Sequence, residues 1–132
     1  MLGRTLSMVA MLALIVACSA SNNSQTRQVD DYFLTVSSDP ETLEVGHDAE
    51  FTVHIEKDDE SMAACRPRFR QYMPTRQTAS DHSWHTLEAL EPGLYRGRGT
   101  EFSVGGDWEL EFQFNCGDGV KTIVFPYSLQ WM

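Results

Sequence analysis

Between residues 107 and 116 apolar and polar side chains alternate without a break, and this pattern constrains the fold more than any other feature of the sequence. One parity is apolar and consists of Trp108, Leu110, Phe112, Phe114 and Cys116. The other parity is polar or charged and consists of Glu109, Glu111, Gln113 and Asn115. A period of two residues with aromatic side chains on one parity is typical of a strand with one buried face. The segment therefore predicts a β-strand packed on a hydrophobic core.

Shorter alternating runs, separated by turn-forming Gly, Pro and Asp residues, indicate further strands in the rest of the chain. They cover residues 32–37, 50–56, 65–73, 94–104 and 121–131, the fourth of them broken. Residues 74–92 are predicted to form a long loop, with a short strand at 84–87 as an alternative. Short strands with frequent turns favour an all-β fold, an immunoglobulin-like antiparallel β-sandwich of about seven strands.

Two cysteines test this arrangement. Cys65 begins one predicted strand and Cys116 ends another, and the immunoglobulin order makes these two strands antiparallel neighbours. Pairing the cysteines opposite each other places Phe69 beside Phe112 and Arg70 beside Glu111, which are favourable cross-strand pairs. We therefore predict a disulfide between Cys65 and Cys116, with two buried reduced thiols as the alternative.

Two prolines suggest which strands lie at the sheet edges. Proline donates no hydrogen bond to a neighbouring strand and is therefore confined to edges. Pro67 and Pro126 lie in the first and last strands of the predicted three-stranded sheet. Both of these strands are therefore expected to be edges, with the strand of residues 107–116 between them.

The amino terminus has the features of a secretory signal: Arg4 precedes an apolar run of ten residues, 8–17. Such a run is too short to span a bilayer, which takes about 20 apolar residues. Ile15-Val16-Ala17-Cys18 resembles a bacterial lipobox, which implies cleavage before Cys18 and lipidation of Cys18; an ordinary secretory signal is the alternative. The expected organisation is a signal peptide at 1–17, a lipidated cysteine with a flexible linker at 18–30, and a β-sandwich domain at 31–132.

The net charge of the chain limits the classes of molecule that it can bind. The chain has 10 Lys and Arg against 19 Asp and Glu, a net charge of −9, and loss of Arg4 with the signal makes it −10. Nucleic acid would repel such a protein. The expected partners are the membrane, through the lipid on Cys18, and an envelope protein, with the oligomeric state left open. Ser19 stands where an Asp favours inner-membrane retention in Gram-negative lipoproteins, so this resemblance implies the outer membrane.

Several short motifs resemble the YtkA-like and FixH-like group of small bacterial envelope domains. They are Leu34-Thr35-Val36, Tyr72-Met73-Pro74, Gly93-Leu94-Tyr95 and Gly105-Gly106-Asp107-Trp108-Glu109-Leu110. The resemblance spans residues 32–114 and implies an immunoglobulin-type fold. Some of these domains are associated with copper handling, and in them further Met or His residues closely follow the Met-Pro element.

Here the histidines nearest to Met73 are His82 and His85, and no Met or His follows it closely. A thioether and two imidazoles are suitable ligands for Cu(I). A copper-binding or chaperone domain that uses Met73, His82 and His85 is therefore the alternative function, and a solvated loop around Trp84 without a cofactor is the favoured interpretation.

Arg66, Arg68 and Arg70 alternate along one predicted strand and so share its outward face. They are candidates for binding a carboxylate, a phosphate or an acidic partner. The alternative is simple pairing with Glu109 and Glu111 on the adjacent strand, and it is the favoured interpretation because the predicted register supplies those partners. No catalytic motif, phosphate loop or zinc spacing occurs in the sequence. We therefore expect a lipid-anchored envelope β-sandwich that acts as a non-catalytic binding or accessory module.

Overall fold

The computed structural model describes residues 24–75 and 81–130, without the side chains of residues 81 and 82. The first five strands are β1 (Gln25–Val29), β2 (Tyr32–Asp39), β3 (Glu50–Lys57), β4 (Glu60–Ser61) and β5 (Arg68–Tyr72). The other five are β6 (Asp81–Thr86), β7 (Glu88–Glu91), β8 (Leu94–Arg98), β9 (Gly106–Phe114) and β10 (Lys121–Leu129). In this part of the chain there is no helix long and apolar enough to cross a bilayer. The predicted signal peptide and Cys18 lie outside the described residues.

The strands form two antiparallel sheets that face each other. The first sheet has the order β1-β2-β3-β8-β7, with β4 also paired to β3, and the second has the order β10-β9-β5-β6. This confirms the predicted all-β antiparallel sandwich, with ten described strands rather than about seven. All six predicted strands are present as β2, β3, β5, β8, β9 and β10, and the strand predicted at 94–104 is indeed broken after Arg98.

The core lies between the sheets and is rich in aromatic rings. Phe112 at the centre of β9 is fully buried, and its ring centroid lies 5.5 Å from those of both Phe69 and Phe125. Trp108 is 2 % exposed and donates a hydrogen bond from Nε1 to the carbonyl of Val104 at 3.0 Å. The alternation that predicted β9 therefore corresponds to its buried and solvent-facing sides.

The predicted disulfide between Cys65 and Cys116 is present. It joins the segment before β5 to the segment after β9, and the Asn115 amide donates to the Cys65 carbonyl at 2.8 Å beside it. The register between the two strands also matches the prediction, with Phe69 opposite Phe112 and Arg70 opposite Glu111. The disulfide therefore fixes one end of the second sheet.

The linker predicted at 18–30 is not flexible over its second half, where β1 pairs with β2. The side chain of Gln25 donates to the carbonyl of Pro126 at 2.7 Å, and that of Arg27 donates to the carbonyl of Val124 at 2.8 Å. These bonds connect β1 to the outer edge of β10 in the other sheet. Because β1 buries little of its surface and binds through polar groups, it has no apolar alternation from which it could be recognised.

The edge assignment from the prolines is right for Pro126 in β10 and wrong for Pro67. The strand β5 is internal, because β6 pairs with its second side. Pro67 precedes the first residue of β5, and its carbonyl accepts a hydrogen bond from the Leu87 amide at 3.2 Å. Proline is therefore tolerated because it lies outside the strand.

The predicted loop at 74–92 contains two strands. β6 belongs to the second sheet and β7 to the first, so the chain crosses between the sheets at Leu87, which is 8 % exposed. β6 covers residues 81–86, earlier than the short strand considered at 84–87.

Candidate functional site

The outward side chains of β5, β6 and β9 form one continuous surface on the second sheet. We call it the arginine face, and it consists of Arg68, Arg70, Tyr72, Trp84, Glu109, Glu111 and Gln113. Cross-strand pairing places Arg68 opposite Gln113, Arg70 opposite Glu111 and Tyr72 opposite Glu109. Side chains directly opposite each other on antiparallel strands are close enough to interact. The register therefore determines which polar groups meet on this face.

Two of these cross-strand pairs are short charged contacts. Arg70 Nε lies 2.6 Å from Glu111 Oε1, with the two side chains 33 % and 14 % exposed. The Tyr72 hydroxyl donates to Glu109 Oε1 at 2.6 Å. The sequence-based alternative, in which arginines pair with Glu109 and Glu111, therefore describes Arg70 correctly. Glu109 is bound by a tyrosine instead.

Arg68 differs from Arg70 because its partners are neutral. Its Nη2 and Nε donate to Gln113 Oε1 at 2.8 and 3.2 Å. Its guanidinium carbon lies 4.3 Å from the centre of the Trp84 ring, and that of Arg70 lies 4.9 Å from the same ring. Such cation–π contacts contribute about 0.5–1 kcal/mol at exposed sites. No described carboxylate forms an ion pair with Arg68.

Trp84 also belongs to this face, although the sequence favours a long loop here and gives a short strand at 84–87 only as an alternative. In the structure it lies in β6 and contacts both arginines. Trp84 and Thr86 share a parity, and Arg68 lies opposite Thr86. The alternative strand at 84–87 was the signal in the sequence that could have found this contact. A strand paired beside β5 places the Trp84 ring next to the arginines.

Arg66 continues the predicted alternation of buried and exposed residues, but its backbone is not that of a strand. Its φ is +49°, and it precedes β5. It is exposed and lies with Arg68 around a shallow cavity of about 130 Å³ near the disulfide. The three arginines are therefore neighbours, as predicted, but Arg66 belongs to the end of the sheet and the other two to its face.

Tyr72 gives the arginine face a pH dependence at alkaline pH. Its hydrogen bond to Glu109, together with burial, raises the pKa of Tyr72 to about 12. In the unfolded chain the pKa of tyrosine is about 10. The native state therefore holds this proton more tightly, and the resulting stability is complete below pH 10 and is lost between pH 10 and about 12.

We expect the Tyr72→Phe variant to lose less stability than the parent protein as the pH is raised through this range. Urea unfolding at a series of pH values from 9 to 12 measures, for both proteins, the slope of the free energy of unfolding against pH. Tyr32 and Tyr127, whose pKa values are also raised, are common to both and serve as the internal reference. Identical slopes for the two proteins would show that Tyr72 does not contribute.

The residues predicted to bind copper are spread along the sheet. Met73 is 2 % exposed within the core. His85 lies opposite Phe69 in the register, with the two rings 5.2 Å apart. Met73 follows Phe69 by four positions, just past the end of β5, a distance of about 13 Å along the strand direction. The His82 side chain lies outside the description, so the three-ligand site stays a prediction. Among the described residues no cluster of three or more His, Cys, Asp or Glu side chains is arranged to hold a metal ion.

Comparison with known proteins agrees with the fold. The model of the YtkA-like family matches residues 26–113. A solved structure of a DUF4785 family protein from Legionella pneumophila superposes with a TM-score of 0.54 at 17 % identity, over 79 % of this chain and 30 % of that one. The chain thus spans less than a third of that protein. No curated protein sequence matches significantly. Since the family match covers most of the sandwich, this chain belongs to the YtkA-like family.

Proposed function

We propose that this protein is a lipid-anchored accessory module of the bacterial envelope, which binds a protein partner through the arginine face and catalyses no reaction. The observation that carries the proposal is the contact of both Arg68 and Arg70 with the ring of Trp84, which is half-buried on this face. Tryptophan, tyrosine and arginine are the residue types that contribute most to binding at protein interfaces.

The arginine face is already ordered before any partner binds. Arg70 is held by Glu111, Tyr72 by Glu109, and Arg68 by Gln113. Side chains that are fixed in advance lose little conformational entropy on association, which favours binding. These six side chains lie on β5 and β9, the two internal strands of the sheet, while Trp84 lies on the edge strand β6.

Charge supports an acidic partner. The whole chain has a net charge of −9, and the arginine face itself carries two arginines and two glutamates, so the excess positive charge lies at its border, where Arg66 and Arg68 are neighbours. A local positive surface on an acidic protein steers the approach of a complementary acidic surface and disfavours other orientations.

The anchor would present one end of the sandwich to the envelope space. Gln25 follows Cys18 by seven residues, a length that spans at most about 25 Å. β1 begins opposite Val36 and ends opposite Tyr32, and the ring of Tyr32 contacts Phe114 at the disulfide end. The chain therefore enters at the end opposite the disulfide. With lipid on Cys18 in the outer membrane, as we propose, the disulfide end points away from that membrane.

Co-purification of the full chain from its native envelope tests the proposal. We expect the double variant Arg68→Glu, Arg70→Glu to lose a partner that the parent protein retains. The matched control is Arg96→Glu, Arg98→Glu, which makes the same charge change on exposed residues of the first sheet. Retention of every partner by the first variant, or equal loss in both, would contradict the proposal.

Copper binding is the second candidate function, and the resemblance to envelope domains that handle copper supports it. The spacing of about 13 Å along the strand leads us to expect that Met73 and His85 do not share one ion. In a Cu(I) titration of the full chain, Met73→Leu should therefore leave the affinity unchanged, whether or not His82→Ala and His85→Ala reduce it. An equal loss of affinity in all three variants would instead establish the three-ligand site.

A further inference from the structure

A groove lies beside the disulfide at the border of the arginine face. We call it the disulfide groove, and its lining consists of Arg66, Arg68, Gln113, Phe114, Asn115 and Val120. Its volume is about 130 Å³, enough for one small group rather than a cofactor. Its position between the start of β5 and the connection from β9 to β10 places it at the end of the sandwich remote from the start of β1.

Arg66 is the most informative residue of the groove, because its guanidinium has no hydrogen bond or ion pair with any residue that the structure describes. Its backbone is nonetheless fixed between the disulfide at Cys65 and Pro67, and the neighbouring Cys65 carbonyl accepts from the Asn115 amide. A guanidinium presents several donors in one plane and suits a carboxylate. The local backbone therefore holds an unused anion-binding group at the groove.

The second arginine and an apolar side chain add to this arrangement. Arg68 donates to Gln113 through Nε and Nη2, which leaves the donors of Nη1 available. Val120 is 66 % exposed and lines the groove beside the two arginines. A ligand that places a carboxylate between the arginines and an apolar group on Val120 would satisfy both features.

We infer that the disulfide groove binds a carboxylate that lies next to an apolar side chain of the partner protein. This inference rests on the proposed function and names the chemistry that the partner presents. A free phosphate would use the arginines alone, and Val120 would contribute nothing to its binding. The exposed valine is therefore the reason to assign the site to a peptide carboxylate.

NMR titration of the full chain, with its disulfide intact, tests the groove directly. The probe is sodium N-acetyl-leucinate, and N-acetyl-leucinamide is the matched probe without the charge. We expect the leucinate to shift the amide signals of Asn115 and Val120, and the leucinamide to leave them unchanged. Arg66→Gln should weaken leucinate binding about fivefold, in proportion to one lost charge-assisted contact. The control Arg96→Gln, on the first sheet, should not weaken it.

Three results would overturn the inference: equal binding of the leucinamide, unchanged leucinate binding by Arg66→Gln, or tighter binding of inorganic phosphate at the same amides. Val120→Ser provides a further discrimination, because it should weaken leucinate binding and leave phosphate binding unchanged. Variants can distinguish an error in the groove assignment from an error in the proposed function, because Arg70 lies on the arginine face but outside the groove. Loss of the partner with Arg70→Glu but not with Arg66→Gln would reject the groove and retain the binding face.

Discussion

Replacing both Cys65 and Cys116 by alanine will lower the free energy of unfolding by about 4 kcal/mol. The disulfide closes a loop with a sequence separation of 51 residues. Cross-linking a loop of this length restricts the unfolded chain, and the restriction grows with the logarithm of the loop length. For a domain with a stability of about 5–15 kcal/mol, the loss removes between a quarter and most of the free energy of unfolding.

Urea unfolding followed by tryptophan fluorescence measures this effect. The control is Cys18→Ala, which leaves the Cys65–Cys116 disulfide intact and should unfold at the parent's urea concentration. Reduction of the parent protein should reproduce the effect of the double variant without any change of sequence. A loss below about 1 kcal/mol, the size of an ordinary surface effect, would show that the disulfide does not fix the fold.

Replacing Gln71 by leucine will lower the free energy of unfolding by about 2–4 kcal/mol. Gln71 is fully buried on the inward side of β5. Its amide group donates to the Thr100 carbonyl at 3.1 Å and accepts from the Thr100 amide at 2.9 Å. These two bonds link the second sheet to the chain that follows β8 in the first. Leucine fills a similar volume but leaves both backbone groups of Thr100 without this partner.

Gly99 provides a stricter version of the same test. A methyl group on Gly99 would collide with Oε1 of Gln71 and approach the Phe69 ring to 3.3 Å. Gly99→Ala alone should therefore be destabilising, because it displaces the buried amide. In the Gly99→Ala, Gln71→Ala double variant the collision is gone, so the combined loss should be smaller than the sum of the two single losses. Additive losses would mean that Gln71 does not occupy the position described.

The sequence predicts the fold wherever one side of a strand is buried. The regular alternation from Trp108 to Phe114 identifies β9, and placing Cys65 opposite Cys116 is sufficient to derive the register between β5 and β9. Both signals arise from the same physical cause, since a one-residue shift would turn every apolar side chain toward the solvent.

The alternation of apolar and polar residues does not identify strands that bury little surface. It is also interrupted where a polar group is buried. β1 is held by side-chain hydrogen bonds to the edge of β10 and so shows no apolar face. Gln71 has the inward parity of Phe69, and its polarity interrupts the pattern. A polar residue at an inward position requires a buried hydrogen-bond partner, but the sequence does not reveal that this partner is the backbone of Thr100.

Only part of the candidate site could be predicted from the sequence. The pairing of Arg70 with Glu111 follows from the register. The contact of Arg68 and Arg70 with Trp84 depends on β6, whose short sequence contains no distinctive apolar alternation. Arg66 has the exposed position that the alternation predicts, but its positive φ is not indicated by the sequence.

Photo-crosslinking in living cells tests most directly whether the arginine face is a binding surface. A photoreactive phenylalanine analogue replaces Thr122, an exposed residue of β10 opposite Gln113. In a second variant it replaces Phe33, an aromatic residue of the first sheet that is 43 % exposed. We predict one discrete envelope-protein adduct from Thr122, abolished by Arg68→Glu, and no such adduct from Phe33. The same adduct from both positions, or an adduct from Phe33 alone, would contradict the assignment.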